Sequence, residues 1–291
     1  MPSYGTDGPR SATLMSIRRY PVKSMMGDEL DSCDLTEGGL LGDRLYALVD
    51  RSNGKVVSAK NPKKWARLFE FGASFAAPPR TDAPSPAVVI TMPEGGRVSS
   101  EDQDCHVRLS EALGREVRLN RRERGHEGIV ETTIPNPWMP ALEEYWPDDV
   151  AGLSHSGIVT DEAMPEGTFF DLAPIHILTT ATLKRLEELY PEGQFDVRRF
   201  RPNLVVQPAD GGADFVENGW IGRTIQIGNQ VQLKITGPCP RCVMTTLPQK
   251  GLRKDVGILR AAAEHNGANV GVYASVVRTG SVRSGDAVQV L

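Results

Sequence analysis

Two cysteines separated by only two residues, Cys239 and Cys242, lie in the segment GPCPRCVMTT at positions 237–246. Arg241 directly precedes Cys242, and two threonines follow closely behind it. The thiolate is the form of cysteine that binds metals and attacks electrophiles, and a neighbouring cation favours that form. The pattern therefore indicates thiolate chemistry, either at a metal or in a redox exchange.

Three simpler interpretations of this cysteine pair stay open. A zinc site needs two further ligands at matching spacing, whereas Cys33 and Cys105 stand alone and far apart. A thioredoxin-like C-x-x-C belongs where a strand runs into a helix N-terminus, but residues 243–246 are rich in β-branched side chains and Pro248 follows them. Both thiols could also be incidental buried groups. Four unevenly spaced cysteines do not indicate a disulfide framework, so we expect free thiols.

Short apolar runs bounded by Gly, Pro or Asp predict the strands that position this segment. They lie at 14–17, 45–49, 88–91, 117–119, 175–178, 231–236, 270–277 and 287–291. Leucines at helical spacing predict a helix over 181–190, capped by Thr179 or Thr180, and a second helix over 258–265 that ends at Gly267. Many short strands with few short helices predict a mainly β (α+β) fold with a β-barrel-like architecture.

Composition excludes several classes of protein. The 291 residues are 40% apolar and 24% charged, which is ordinary for a soluble globular protein. A net charge of −4 disfavours a nucleic-acid surface, and no run of about eighteen apolar residues predicts a membrane span. The first ten residues lack the order of a secretory signal, so we expect a cytoplasmic protein. No Walker-type loop and no G-x-G-x-x-G is present, which disfavours nucleotide cofactors.

The cysteine segment also resembles the signature of a known family. Its pattern C-x-R-C-x-x-T-T is similar to that of MOSC domains, and four other segments fit the same architecture in the right order. These are IRRYPVKSMMG at 17–27, GDRLYALVD at 42–50, FRPNLVV at 200–206 and TGSVRSGDAVQVL at 279–291. Together they resemble mitochondrial amidoxime-reducing components and bacterial hydroxylaminopurine-detoxifying proteins. The resemblance covers nearly the whole chain.

The resemblance and a stretch at 133–165 that is rich in Pro, Trp and acidic residues together indicate a division of the chain. We expect a flexible tail over 1–12, an N-terminal MOSC-associated β-rich domain over 13–132, a linker over 133–165 and a MOSC domain over 166–291. A second Pro-rich stretch, 76–86, is interpreted as a loop inside the N-terminal domain.

The resemblance also implies a molybdenum cofactor, Mo-molybdopterin. Its metal would be held by the pterin dithiolene, by oxo groups and by Cys242, which is both the predicted metal ligand and the predicted catalytic residue. A thiolate is a soft ligand that suits such a metal, and Arg241 would help to keep it ionised. Cys239 is interpreted as a buried loop thiol. Neither pyridoxal phosphate nor an iron–sulfur cluster is expected in this chain.

The pterin phosphate needs fixed positive charge and hydrogen-bond donors, which motifs of the family supply. Leu172 and Ala173 would contribute backbone groups only. The predicted cofactor-binding residues are Lys23, Ser24, Arg44, Leu172, Ala173, Arg201, Asn203, Pro240 and Arg241. Two loops depart from the family pattern, at Met25 with Met26 and at LPQKG after Thr246, and we expect both to border the substrate opening.

The function implied is an oxidoreductase that reduces N-hydroxylated or N-oxygenated small molecules, a detoxifying activity. Electrons would come from a separate donor, a flavoprotein or a ferredoxin-type reductase, and neither nucleic acid nor membrane is expected as a partner. The alternative is a cofactor carrier or sulfur-transfer module without reductase activity. Among the histidines, His176 is interpreted as a core residue, and His155 is kept as a candidate proton donor.

Overall fold

The computed structural model describes residues 11–121, 169–170, 173–212 and 214–291. The strands of this part of the chain are β1 Ser11–Arg19, β2 Asp28–Leu30, β3 Ser32–Thr36, β4 Gly39–Leu40, β5 Tyr46–Asp50, β6 Gly72–Phe75, β7 Val88–Thr91, β8 Arg97–Ser99, β9 Val117–Arg121, β10 Ile175–Thr179, β11 Leu204–Pro208, β12 Thr224–Ile227, β13 Val231–Pro240, β14 Asn269–Arg278, β15 Gly280–Arg283 and β16 Ala287–Val290.

Helices are few and short in the same residues. The α-helices are α1 Pro62–Trp65, α2 Cys105–Leu113, α3 Thr180–Leu189, α4 Val197–Phe200 and α5 Gly257–Asn266. Turns of 3₁₀ helix occupy Leu68–Glu70, Val216–Trp220 and Val243–Thr246. None of the helices described combines the length and apolar composition needed to span a bilayer. The predicted mainly β fold is confirmed.

Seven strands close into a barrel. Their order is β1–β11–β10–β14–β13–β12–β16, and β16 pairs with β1 again. Every pair in the ring is antiparallel except β10 with β11. Alternate residues of each strand point inward, as the pleat requires, and Leu14, Ile17, Leu233 and Ile235 are fully buried there. The barrel interior is therefore one apolar core.

The barrel joins the two ends of the chain. Strand β1 lies between β11 and β16, and β3 pairs with β15. The predicted domain boundaries stay a prediction, and the linker at 133–165 lies outside the described residues. Within the described residues, hydrogen bonds of the first strand nevertheless reach across the predicted boundary into the C-terminal half.

A second apolar cluster lies in the N-terminal half. It gathers the β5–β9 pair, the sheet β6–β7–β8 and helix α2. Val243 and Leu247, from either end of the turn that follows Cys242, belong to this cluster as well. The cysteine segment thus leaves the barrel on β13 and packs against the core of the N-terminal half.

The predicted helix signals are also confirmed. The Thr179 side chain caps α3 by accepting a hydrogen bond from the backbone N–H of Thr182 at 3.2 Å. Helix α5 ends at Gly267, whose φ of +56° is left-handed, a conformation that glycine adopts without steric cost. The Pro-rich stretch 76–86 is the loop between β6 and β7.

Candidate functional site

One open cleft collects nearly all of the predicted site residues. It is open to solvent and encloses about 940 Å³ when the space at its mouth is included. Leu172 lies outside the described residues, as does His155. The predicted residues that line the cleft are Lys23, Ser24, Arg44, Ala173, Arg201, Asn203, Pro240, Arg241 and Cys242.

Strand β13 positions Cys242 at the cleft. The strand ends at Pro240, and a 3₁₀ turn begins directly after Cys242. The backbone carbonyl of Cys242 accepts hydrogen bonds from the backbone N–H and the hydroxyl of Thr245, at 3.1 and 3.0 Å. Cys242 is half-buried, whereas the other three cysteines are buried. Its thiol is therefore the one that a molecule in the cleft can reach.

Arg241 is bound to the neighbouring sulfur. One terminal nitrogen lies 2.8 Å from Sγ of Cys239, and the other donates to the carbonyl of Phe200 at 2.7 Å. Its Nε is buried and has no hydrogen-bond partner among the described residues. Burial raises the pKa of the Cys239 thiol, although the positive charge of Arg241 opposes this shift. The hydrogen bonds of the guanidinium go to Cys239 and Phe200, not to Cys242.

Left-handed backbone is concentrated at this cleft. Ser24, Arg44 and Arg201 have φ values of 64°, 47° and 53°. Among the described non-glycine residues only Asp214 and Ala268 share this conformation, and the carbonyl of Ala268 accepts a hydrogen bond from the backbone of Arg241. Such conformations cost of order 1–3 kcal/mol each and persist where surrounding contacts enforce them. Their clustering marks a preorganised site.

Asp43 is the anchor that holds the cationic wall in place. This buried carboxylate accepts from the backbone N–H of Tyr20 at 2.6 Å, from the Asn203 side chain at 2.9 Å and from Arg44. The guanidiniums of Arg44 and Arg201 both lie over the Tyr20 ring, 4.5 and 4.2 Å from its centroid. Cation–π contacts of this kind fix the direction of a guanidinium without cancelling its charge.

Carbonyl groups anchor Lys23 and also Arg201. Nζ of Lys23 donates to the Phe169 carbonyl at 2.9 Å, and Arg201 donates to the Met25 carbonyl at 2.7 Å. A carbonyl orients a cation but leaves its net charge intact. Five cationic side chains line the cleft, and no Asp or Glu is among its described lining residues. The site is built to receive an anion next to a thiol.

Two parts of the sequence match known protein families. The family described as "MOSC domain" matches residues 165–289, and "MOSC N-terminal beta barrel domain" matches residues 11–69. A rat protein named mitochondrial amidoxime reducing component 2 is 30% identical over 304 residues, which cover 95% of this chain and 82% of that protein. The chain belongs to the MOSC domain family.

Two further relatives widen the comparison for this MOSC protein. A protein of the same name from Macaca fascicularis is 24% identical over 295 residues, covering 95% of this chain and 82% of that protein. A molybdenum cofactor sulfurase from Danio rerio is 28% identical over 290 residues, covering 90% of this chain but 32% of that protein.

The structure adds residues that the motifs of the MOSC family did not indicate. Those on the cleft are Lys60, Phe169, Phe170, His176, Phe200, Met244 and Tyr273. Phe200 and Met244 lie within the FRPNLVV and GPCPRCVMTT segments, at positions for which no role was predicted. The others come from separate segments, and no spacing signal marks them. Two of the aromatic rings contact the cations directly, since Arg44 lies 5.7 Å from the centroid of Phe170 and Arg241 lies 5.8 Å from that of Phe200.

His176 is buried, as predicted, but it also borders the cleft of the MOSC domain. Burial, reinforced by the positive charge of Arg241, holds its pKa well below the usual range. The ring is therefore neutral, and its Nε2 donates to the Val270 carbonyl at 3.0 Å. Gly271 makes room for it, since a Cβ at that position would lie 2.3 Å from Nε2 of His176.

Arg199 is a second residue that sequence reasoning missed in this MOSC domain. Its side chain is fully buried and donates to the carbonyls of Thr245, Leu247 and Arg253 at 3.1, 3.2 and 2.7 Å. The guanidinium thereby ties the backbone that follows Cys242 to helix α4. Arg199 lies in the segment RRFR at 198–201, between Arg198 and Arg201. Because the sequence does not distinguish these three arginines, only the structure shows that their roles differ.

Proposed function

We propose that the cleft binds Mo-molybdopterin and that Cys242 supplies the protein sulfur ligand of the metal. One observation carries this proposal. The described residues that line the cleft include one accessible thiol and five cationic side chains, and no carboxylate is among them. The names of the relatives, amidoxime reducing component and molybdenum cofactor sulfurase, support the same choice.

The residues present fit this cofactor chemically. A dithiolene-bound metal favours a soft thiolate as a further ligand. The pterin phosphate needs several charge-assisted donors, and Lys23, Arg44 and Arg201 are held at the cleft by fixed contacts. The buried Nε of Arg241, which lacks a partner in the described part of the chain, is a donor that a bound anion would satisfy.

We propose further that the protein reduces N-hydroxylated small molecules. In such a reaction the N–O bond breaks, two electrons and two protons are consumed, and the reduced nitrogen compound and water are released. When bound, the cofactor would supply the two-electron chemistry. The residues of this chain would hold the cofactor, seat the substrate against Phe169 and Phe170, and limit the access of water.

A separate electron donor and a cytoplasmic location complete the proposal. The donor would be a flavoprotein or a ferredoxin-type carrier. A reducing compartment would keep the accessible thiol of Cys242 from oxidation before the cofactor binds.

The test combines metal analysis with turnover. Protein made in a host that synthesises the cofactor should contain about one molybdenum per chain, and it should reduce an amidoxime with reduced viologen but not with NADH or NADPH alone. Molybdenum without turnover would favour the alternative, a cofactor carrier or sulfur-transfer module. Zinc, or no metal, would reject both.

A further inference from the structure

Strand β13 loses its regular pairing just before it reaches Cys242. Its register with β14 shifts twice within residues 235–240, and Cys239 has no paired residue in that register. Irregular pairing of this kind re-aims side chains and is frequent beside active sites. The side chain of Cys239 is fully buried at this point of the strand, so its sulfur is available only to neighbouring groups of the protein.

The side chain that reaches this sulfur across the two strands is that of Tyr273. Tyr273 lies opposite Gly237 in the register of β13 with β14, and Cys239 is two residues further along β13. A diagonal neighbour of this kind is within reach of an aromatic side chain. The sulfur therefore has two hydrogen-bond donors, the hydroxyl of Tyr273 and a terminal nitrogen of Arg241.

The ring of Tyr273 is itself fixed by its neighbour on β10. His176 pairs with Tyr273 in the register of β10 with β14, and the two rings meet edge to face with their centroids 6.1 Å apart. An aromatic pair of this geometry is favourable beyond the area that it buries. The imidazole in turn is bound to the Val270 carbonyl at 3.0 Å. The barrel thus sets the position from which the hydroxyl approaches the sulfur.

Arg241 needs such a support because a neutral sulfur is a weak hydrogen-bond acceptor. The other terminal nitrogen of Arg241 donates to the Phe200 carbonyl at 2.7 Å, and its buried Nε has no partner in the part of the chain that the structure describes. A second donor on the sulfur restricts the rotamer of Cys239. The guanidinium is then held in one orientation, with Nε left for a bound anion.

We propose that Tyr273 is a positioning residue, which fixes the sulfur of Cys239 so that this sulfur holds Arg241 in place for an anion bound in the cleft. The proposal rests on the proposed function, because the anion is taken to be the phosphate-bearing cofactor. Tyr273 acts through Cys239 and needs no contact with the anion itself. Loss of its hydroxyl should therefore weaken anion binding only while the sulfur is present.

A double-mutant cycle tests this dependence. The probe is inorganic pyrophosphate, and calorimetry measures its binding to the full-length protein without cofactor. Tyr273→Phe should weaken binding about three- to tenfold, the effect of losing one hydrogen bond. In a Cys239→Ala background, the same substitution should change the Kd by less than about twofold. The matched control is Tyr190→Phe, which removes a hydroxyl that donates to Asp255 away from the cleft lining and should leave the Kd unchanged.

Three results would overturn the proposal. The first is an equal loss in both backgrounds, because Tyr273 would then contact the anion or support the fold without Cys239. The second is an unchanged Kd in the Tyr273→Phe single variant, and the third is a wild-type protein that does not bind pyrophosphate. If circular dichroism shows that Cys239→Ala does not fold, Arg241→Gln is the second background. It removes the guanidinium, so the tyrosine substitution should again have no effect.

The readout is separate from reductase activity. Wild-type protein that contains no molybdenum would refute the proposed cofactor, whereas the cycle in pyrophosphate affinity would still decide the role of Tyr273. In protein loaded with molybdenum, Tyr273→Phe should also lower the amount of metal retained after gel filtration. This loss should disappear in the Cys239→Ala background, and a loss that persists there would count against the proposal.

Discussion

Cys239 and Cys242 occupy opposite environments although only two residues separate them. Cys239 is fully buried on β13 and accepts a hydrogen bond from Arg241. Cys242 is half-buried at the cleft. Burial favours the neutral form of a thiol, so Cys239 is suited to orient Arg241, and Cys242 is the sulfur that is open to a metal.

Replacing each cysteine in turn tests this division of roles. Cys242→Ala should abolish amidoxime reduction and most of the bound molybdenum, because the metal loses its protein sulfur. Cys239→Ser should keep substantial activity, since a hydroxyl can also accept from Arg241. Viologen-driven rates and elemental analysis measure both effects. Equal losses in the two variants would favour a dithiol mechanism instead.

Cofactor retention should depend on the anchored cations. We expect Arg201→Ala or Lys23→Ala to weaken cofactor binding by about tenfold or more, the effect of losing one charge-assisted contact. Molybdenum content after gel filtration is the measurement. Arg80→Ala, at an exposed pair with Asp82, is the control. Unchanged molybdenum in both cleft variants would contradict the assignment.

At the scale of elements, the backbone after Cys242 depends on a single buried guanidinium. Arg199→Ala would leave four carbonyl groups without this donor, and two of them, those of Thr245 and Leu247, belong to buried residues. Each buried acceptor left unsatisfied costs about 1–3 kcal/mol. We expect faster hydrogen exchange over residues 243–253, a lower urea midpoint and reduced molybdenum content. The control Arg185→Ala removes exposed pairs with Glu188 and Asp214 and should change little. Similar effects of the two substitutions would refute a positioning role.

The 3₁₀ turn Val216–Trp220 meets the start of α3 through a buried carboxyl group. Glu217 accepts hydrogen bonds from the hydroxyls of Thr179 and Thr182, both at 2.6 Å. Burial raises the pKa of Glu217, although these hydrogen bonds oppose the shift. In the folded protein this group therefore holds its proton to higher pH than in the unfolded chain.

The sign of the resulting pH dependence follows from linkage. A folded-state pKa above the unfolded value stabilises the protein below the unfolded pKa of about 4.3, and this contribution is lost as the pH rises through the folded pKa. A glutamine at position 217 does not titrate, so the Glu217→Gln variant should not lose stability through this group as the pH rises. Its Tm should therefore fall less than that of the wild type above about pH 5. Exposed Glu187→Gln should behave like the wild type. Parallel curves for the wild type and Glu217→Gln would contradict the assignment.

Local pattern explains which elements were predictable. Alternation located β13, and an N-cap threonine and a C-terminal glycine located α3 and α5. Strand β2 has three residues and strand β4 has two. Strands this short do not show an alternation of apolar and polar residues that could predict them. Helix α2 has neither an acidic residue in its first turn nor a side-chain cap.

The site was predictable only in part. The cleft residues that belong to recognisable motifs could be predicted from the sequence, whereas Tyr273 and His176 lie together at the cleft only because the barrel pairs β14 with β10.

At the scale of the whole molecule, the barrel needs both ends of the chain. Without β1, neighbouring β11 and β16 would lose their partner, and apolar Leu14 and Ile17 would leave the core. The fragment 166–291 alone should therefore show no cooperative unfolding transition. The fragment 11–291 should show one. Thermal circular dichroism of the two fragments is the measurement. A cooperative transition in the shorter fragment would show that β1 is dispensable.

The pairing of β1 with β16 also constrains how the protein is made. Synthesis proceeds at about 5–20 residues per second, so β1 emerges from the ribosome roughly 14 to 54 seconds before its last partner. During that interval its apolar face and its unpaired backbone edge are exposed, which is the state that invites aggregation. Barrel closure must therefore wait for the synthesis of β16, and the apolar face of β1 needs protection until that strand has been made.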